Sequence, residues 1–260
     1  PQFITSVTWN SVTNVYGAAG PLAGTILTAM VSLLIALPIA FGVAVFLVEI
    51  CPAAIRAPIA AAVELLAGIP SIVYGMVGLF VVAPWFATHV QLPLMSSALP
   101  GSFMERITSG IPNGANITTA SIVLALMILP FIAAMLRELL LSVPPQLRES
   151  AYGMGATRAE VVMNVMLPYI SKSAVGAVML GLGRALGETM AVTFIIGNSH
   201  DLPNSIFSSS STIASTIASE FAESNGMQTS ALLALGLMLF LITFVILALA
   251  RLLIGARKAY

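Results

Sequence analysis

Glu149-Ser150-Ala151, then Gly155, then Val165-Met166-Leu167-Pro168 mark out a polar stretch set between two predicted spans. Pro144 and Pro145 open it, and Gly153 and Gly155 separate two short helical pieces. The second piece, about 157–167, brings Val161, Val162, Val165 and Met166 to one side at helical spacing. Such an amphipathic helix either docks into a groove on a partner or lies on lipid. Which of these applies depends on what flanks it.

The flanks are membrane spans. Of 260 residues, 58% are hydrophobic and 8% charged, against about 25% charged in a soluble domain. No charge occurs from Pro1 to Val48, Leu65 to Met104, Ile107 to Leu136 or Ser224 to Ala250. A helix needs about 20 apolar residues to cross the hydrocarbon core. We therefore predict an all-α polytopic membrane protein with about five transmembrane helices, at 22–48, 58–87, 117–137, 172–197 and 228–252. Gly68 and Pro70 break the second after one or two turns, with Gly75 and Gly78 following. Breaks survive in lipid where protein or a water-filled path satisfies the freed backbone groups, so this one is either a packing kink or part of a pathway.

Basic residues set the direction. Arg56, Arg137, Arg148, Arg158, Lys172, Arg251, Arg257 and Lys258 fall on one side of this layout, Arg106 on the other, and Arg184 within a span. The loop 138–171 and the tail 256–260 are expected in the cytoplasm, with the segments 1–21, 88–116 and 198–227 outside. One transmembrane domain covers 22–255. The serine-rich part of 198–227, around Ser208–Ser211, reads as a hairpin or short helix at the membrane surface. The chain starts at Pro1, without a basic region ahead of an apolar one, and reads as a fragment or processed product.

The same composition excludes other classes. A formal net charge of zero gives no field to attract nucleic acid. Cys51 is the only cysteine, and two distant histidines, His89 and His200, complete no metal set with it. Ser199, His200 and Asp201 are adjacent, but hydrolytic triads are assembled from separated segments. His89, Trp9 and Trp85 read as interfacial residues at outer span ends.

Arg184 and Glu188 stand four apart within Gly181–Met190, on one predicted helix face. A charge at mid-membrane costs roughly 2.5–3.5 kcal/mol on insertion scales, so it turns toward protein or water. Two readings remain open, an ion pair bracing helices and a polar pathway. An arginine fork suits an oxyanion, and Glu188 can moderate its grip. Gly181, Gly183 and Gly187 imitate a nucleotide-binding fingerprint but lie in an apolar helix, where close helix approach explains them better.

The opening stretch resembles the signature of ABC-importer permeases, which reads Glu-Ala-Ala, three residues, Gly, nine residues, Ile, any residue, Leu-Pro. Every spacing is met, with Ser150 for Ala and Val165 for Ile. The resemblance implies that Glu149, Ser150, Ala151, Gly155, Leu167 and Pro168 belong to a loop that fits the cleft of a separate ATPase subunit. The chain has no G-x-x-x-x-G-K-[ST] loop. It is therefore expected to be no enzyme and to hold no cofactor, with ATP and Mg bound by the partner.

Gly181–Asn198, Glu64–Gly75, Tyr16-Gly17-Ala18 and Gly24-Thr25 resemble the phosphate-specific permeases among these, a likeness that runs over nearly the whole chain. That implies a six-span family architecture whose first span precedes this chain, and a substrate pathway using Arg184, Glu188, Thr189 and Glu64. It also implies partners: a second related permease, a dimer of ATPase subunits, an extracytoplasmic phosphate-binding protein, a membrane sensor kinase and lipid, with no nucleic acid. For Glu64, contact with interfacial water at a helix end is the alternative. For the whole chain, a permease for sulfate or molybdate and an ion-gradient-driven transporter are the rivals.

Overall fold

The computed structural model describes residues 2–11, 13–99 and 101–256. Arg257 and Lys258, counted above for direction, lie outside them. The described residues are helical throughout, apart from loops and two isolated bridges, Asn10 with Val15 and Gly197 with Ser210. Among the described residues, five helices are long and apolar enough to cross a membrane: Ala19–Ile50, Ser71–Ser97, Ile117–Leu141, Arg158–Leu186 and Met227–Leu252.

The number and order match the expectation; the bounds of the second and fourth do not. The second span starts at Ser71 rather than at 58, because Ala53–Ala67 is a helix of its own, closed at Gly68 ahead of Pro70. The fourth runs 158–186 rather than 172–197, so the amphipathic piece is continuous with the span instead of separate from it. His89 and Trp85, expected at a span's outer end, stack on each other well inside a helix that continues to Ser97.

Proline explains that continuity. Four π turns, Phe46–Ile50, Gly78–Val82, Ala87–Gln91 and Val162–Met166, each end two residues before a proline, at Pro52, Pro84, Pro93 and Pro168. Proline offers no N–H and its ring meets the carbonyl four residues back. Moving the ladder to i→i−5 just ahead of it, as in the bond from Leu167 N–H to the Val162 carbonyl, lets the helix pass through. Pro38 and Pro130 sit in unbroken α-helix.

Contacts divide the chain into two units. The first comprises the chain to Ser32, Pro70–Ala125 and Arg184–Thr243. Its core is Ala18, Ile213, Leu232 and Leu235. The serine-rich segment enters this unit's interior rather than lying at a surface, with Ser210, Ser211, Thr212, Ser215 and Thr216 all buried. Part of its polarity is met locally, while the Ser210, Ser211 and Thr216 hydroxyls have no hydrogen-bond partner among the described residues. Thr212 and Ser215 cap the helix Ile213–Glu220 reciprocally, and the Thr25 hydroxyl accepts the Ile213 N–H at 2.9 Å. Buried Gln91 donates to the Ile111 carbonyl at 2.8 Å and accepts the Gly114 N–H, pinning the loop that leads into the third span.

The second unit comprises Leu33–Ile69, Leu126–Gly183 and the chain from Phe244 onward. Ile128, Ile132, Leu136 and Leu140 of the third span are buried there with Met166 and Ile170. Gly181 lies against Ile132, so close approach does account for that glycine, whereas Gly183 has open space around it. Across the chain the third span is 67% buried and the fifth 11%. Leu233, Leu237, Phe240 and Leu249 are all more than half exposed. In water that surface would be an aggregation hazard; a hydrocarbon surround makes it ordinary.

Candidate functional site

The fourth span stops at Leu186, and a new helix runs Met190–Ile195. Gly187, Glu188 and Thr189 lie between the two helices; the Glu188 N–H still bonds to the Ala185 carbonyl, and the Thr189 carbonyl accepts the Thr193 N–H. Arg184 and Glu188 therefore do not share one continuous helix face, contrary to their spacing. Each instead stands at a helix end that suits its charge. Arg184 is in the last turn of the span, where the exposed carbonyls favour a cation. Glu188 accepts the Ala191 N–H at 3.3 Å, taking over the capping that the Thr189 side chain does not perform.

Arg184 is exposed on its unit, and Glu188 and Thr189 are half-buried. The charge of Arg184 reaches the half-buried Tyr74 hydroxyl on the second span. That residue was quoted in the sequence only as part of a resemblance; its place beside the arginine depends on the packing of two helices. A Cβ on Gly75 would stand 2.9 Å from Phe194 Cδ2 and 3.0 Å from Ala191 Cα, so only glycine lets the second span lie this close to the helix Met190–Ile195.

Glu64 belongs to the second unit, 57% exposed, and pairs with Arg137 at 3.1 Å. Arg137 also holds Glu138 at 2.8 Å. Glu64, Arg137 and Glu138 thus form one ion-pair cluster.

The signature residues take up a defined geometry in the second unit. Pro145–Gly153 is a helix that ends at Gly155, whose φ of +88° only glycine adopts freely. The Gly155 N–H bonds to the Tyr152 carbonyl and the Ala156 N–H to the Ala151 carbonyl, the paired bonds of a Schellman stop. Ala151 is buried beneath that turn. The Ser150 hydroxyl turns back to the Gln146 carbonyl, and Glu149 is exposed.

Thr157 and Glu160 then restart the helix with a capping box; the Glu160 carboxylate accepts the Thr157 N–H at 2.7 Å and the Thr157 hydroxyl at 2.8 Å. Leu167 and Pro168 stand where the π turn gives way to the α-helix. Missed by sequence reasoning was Glu49, at the end of the first span. It is buried, pairs with Arg148 and accepts the Tyr152 hydroxyl at 2.8 Å. Burial, then that hydrogen bond, raise the Tyr152 hydroxyl above its usual value.

The apolar stripe of the loop is turned inward. Val161, Val162 and Met166 are buried within the chain itself, because the helix carrying them is the base of the fourth span. They are not the surface on offer to a partner, as the stripe suggested. The exposed groups are Met154, at 84% the most open, with Leu147, Met163 and Tyr169.

Five apolar helices, one interrupted beside an arginine and a glutamate, and a capped loop projecting exposed methionines define a membrane transport subunit. The chain belongs to the family of binding-protein-dependent transport system inner membrane components, whose model matches residues 15–258. It is 54% identical to the phosphate transport system permease protein PstC of Haemophilus influenzae, over 97% of this chain and 80% of that one. Against the PstC protein of Mesorhizobium japonicum it is 51% identical, over 96% and 77%. A probable PstC of Methanocaldococcus jannaschii is 35% identical, over 94% and 78%.

Solved structures share the fold. An inward-facing methionine ABC transporter matches with a TM-score of 0.55 at 21% identity, over 90% of this chain and 93% of that one. A bacterial ABC transporter importing the polysaccharide alginate matches at 0.59 and 18%, over 92% and 79%.

Proposed function

We propose that this chain is a permease subunit that carries inorganic phosphate inward across a bacterial plasma membrane, as part of an ATP-driven importer. The observation that carries the reading is identity of about one half, along nearly the full chain, to permeases of phosphate transport systems. On this reading a second related permease completes the path, a pair of ATPase subunits binds ATP and Mg, and a binding protein delivers phosphate from outside. A membrane sensor kinase is a further partner that reads the state of the importer.

Arg184 is the anion contact of this proposal. Its guanidinium donates paired hydrogen bonds to phosphate oxygens, and it stands exposed at the helix end, where a path lined by both permeases has access to it. Thr189, whose side chain makes no capping bond, offers a further hydroxyl. Glu188, held at the next helix N-terminus, keeps the site from binding phosphate too tightly to release it. Glu149, Gly155 and the exposed Met154 form the ATPase-facing surface, and the distribution of basic residues supports a cytoplasmic position for it. Leu167 and Pro168 join that surface to the fourth span.

Uptake of radiolabelled phosphate at low external concentration tests this, in cells lacking the gene and complemented with the full-length protein. Restoration insensitive to excess sulfate is the expected result. Correct insertion with a bound ATPase subunit and no phosphate uptake would reassign the substrate.

A further inference from the structure

The second unit carries a groove of about 1360 Å³ that none of the proposed transport roles uses. It lies among the end of the helix Ala53–Ala67, the C-terminal halves of the third and fifth spans and residues 173–180 of the fourth. Phe131, Met135, Leu180 and Leu247 are among its walls. Gly176 lies in it, and a Cβ added there would meet nothing within 4 Å. This is larger than the roughly 300–1,000 Å³ of an ordinary small-molecule pocket, and almost wholly apolar in its body.

One end is charged, and asymmetrically so. Glu64 and Glu138 share Arg137, which leaves the cluster one negative charge in excess. Both carboxylates line the groove and are more than half exposed. Arg251, also on the lining and exposed, makes no ion pair among the described residues. The mouth therefore offers a cation and a surplus carboxylate above a long apolar trough. An acyl chain fits the trough, a lipid phosphate fits Arg251, and a primary ammonium fits the carboxylates.

We propose that this groove is a binding site for a phospholipid of the phosphatidylethanolamine class. The headgroup argument is specific. A primary ammonium donates hydrogen bonds to carboxylates, as lysine does; a choline headgroup has no N–H to give, and a glycerol headgroup has no positive charge for them. An anionic lipid would satisfy Arg251 but place no cation against Glu64 and Glu138.

The test uses the whole importer, purified and reconstituted into nanodiscs of equal parts ethanolamine, choline and glycerol phospholipids, then stripped with detergent and analysed by native mass spectrometry. Ethanolamine lipid is expected to remain bound in excess of its share. Arg251→Gln lowers its retention about tenfold, the size of one lost charge-assisted hydrogen bond. Glu138→Gln removes the preference for ethanolamine over glycerol headgroups, and Gly176→Leu displaces the lipid by filling the trough. A photoreactive residue at Leu180 crosslinks to lipid. Retention indifferent to Arg251→Gln and Glu138→Gln overturns the site, whether or not Gly176→Leu assembles. Crosslinking of Leu180 to another protein subunit overturns it too, and assigns the groove to an interface.

Discussion

The carboxylate of Glu49 accepts the Tyr152 hydroxyl at 2.8 Å, joining the end of the first span to the helix that carries the family signature. The two residues are 103 apart in sequence. Glu49 is buried and also pairs with Arg148, so one side chain fastens the loop from beneath. Removing one partner of a buried ion pair costs about 3 kcal/mol, since the other charge is left without compensation. Glu49→Ala is expected to insert in the membrane, yet lose most phosphate uptake while ATP hydrolysis by the assembled importer continues. Parallel uptake and ATPase assays on one preparation check this uncoupling.

Gly155 gives a sharper contrast with its neighbour. Its φ of +88° penalises any side chain, although the space around it is open. Gly155→Ala is expected to cost about 1–2 kcal/mol at the helix stop, and to weaken retention of the ATPase subunit through purification. Gly153 is helical and equally uncrowded, so Gly153→Ala keeps that subunit bound. Co-purification yields for the two variants, at matched membrane levels, decide the point.

His200 predicts a pH response in the segment 198–227. Its ring stacks on Trp9 at 5.1 Å and its Nε2 lies 3.2 Å from Glu220. Burial lowers its pKa below 6.5, with Glu220 and Asp201 opposing that shift. The folded form thus prefers neutral imidazole. Stability from this preference is present above the unfolded value of about 6.5 and falls as pH drops below it, levelling off below the folded pKa. In a Trp85→Phe background, Trp9 fluorescence is expected to change with pH below 6.5. His200→Gln removes the change; its persistence there would exclude His200 as the source. The same geometry turns His200 away from Ser199, whose hydroxyl goes to Asp201, so the adjacent Ser-His-Asp forms no relay.

How far the sequence carried can be read from single positions. The spans were legible because Glu49, Glu64, Glu105, Arg106, Arg137, Glu223 and Arg251 bracket uncharged runs. The break at Gly68 and Pro70 was legible in residue type, but not that a full helix precedes it. Pro168 was taken as the end of a loop; its effect is a shift of ladder register that leaves the helix whole. The break at Gly187 left no mark in hydropathy, since the same apolar pattern continues through Met190–Ile195. Ser210 and Ser211 looked like surface residues because composition does not reveal that the fold buries them, with the Ser210 backbone bonded to Ile196 and Ser199. Glu49 was invisible as a tie, because its partners lie a hundred residues away.

The interrupted helix separates bracing from transport by choice of substitution. If Glu188 served only to cap Met190–Ile195, glutamine would suffice, because its carbonyl still accepts the Ala191 N–H. If its charge sets how firmly Arg184 holds an anion, glutamine removes that control with the cap intact. We expect Glu188→Gln to lower uptake about tenfold at unchanged membrane level, the scale of one charge-assisted interaction, and Arg184→Gln to abolish it. Arg184→Lys keeps the charge but not the planar fork, so partial uptake is expected. Tyr74→Phe, which removes the hydroxyl on which the Arg184 charge acts, is expected to raise KM for phosphate more than it lowers the maximal rate. Initial rates across a range of phosphate concentrations distinguish these outcomes, and wild-type uptake by both Glu188→Gln and Arg184→Gln would return the pair to a purely structural role.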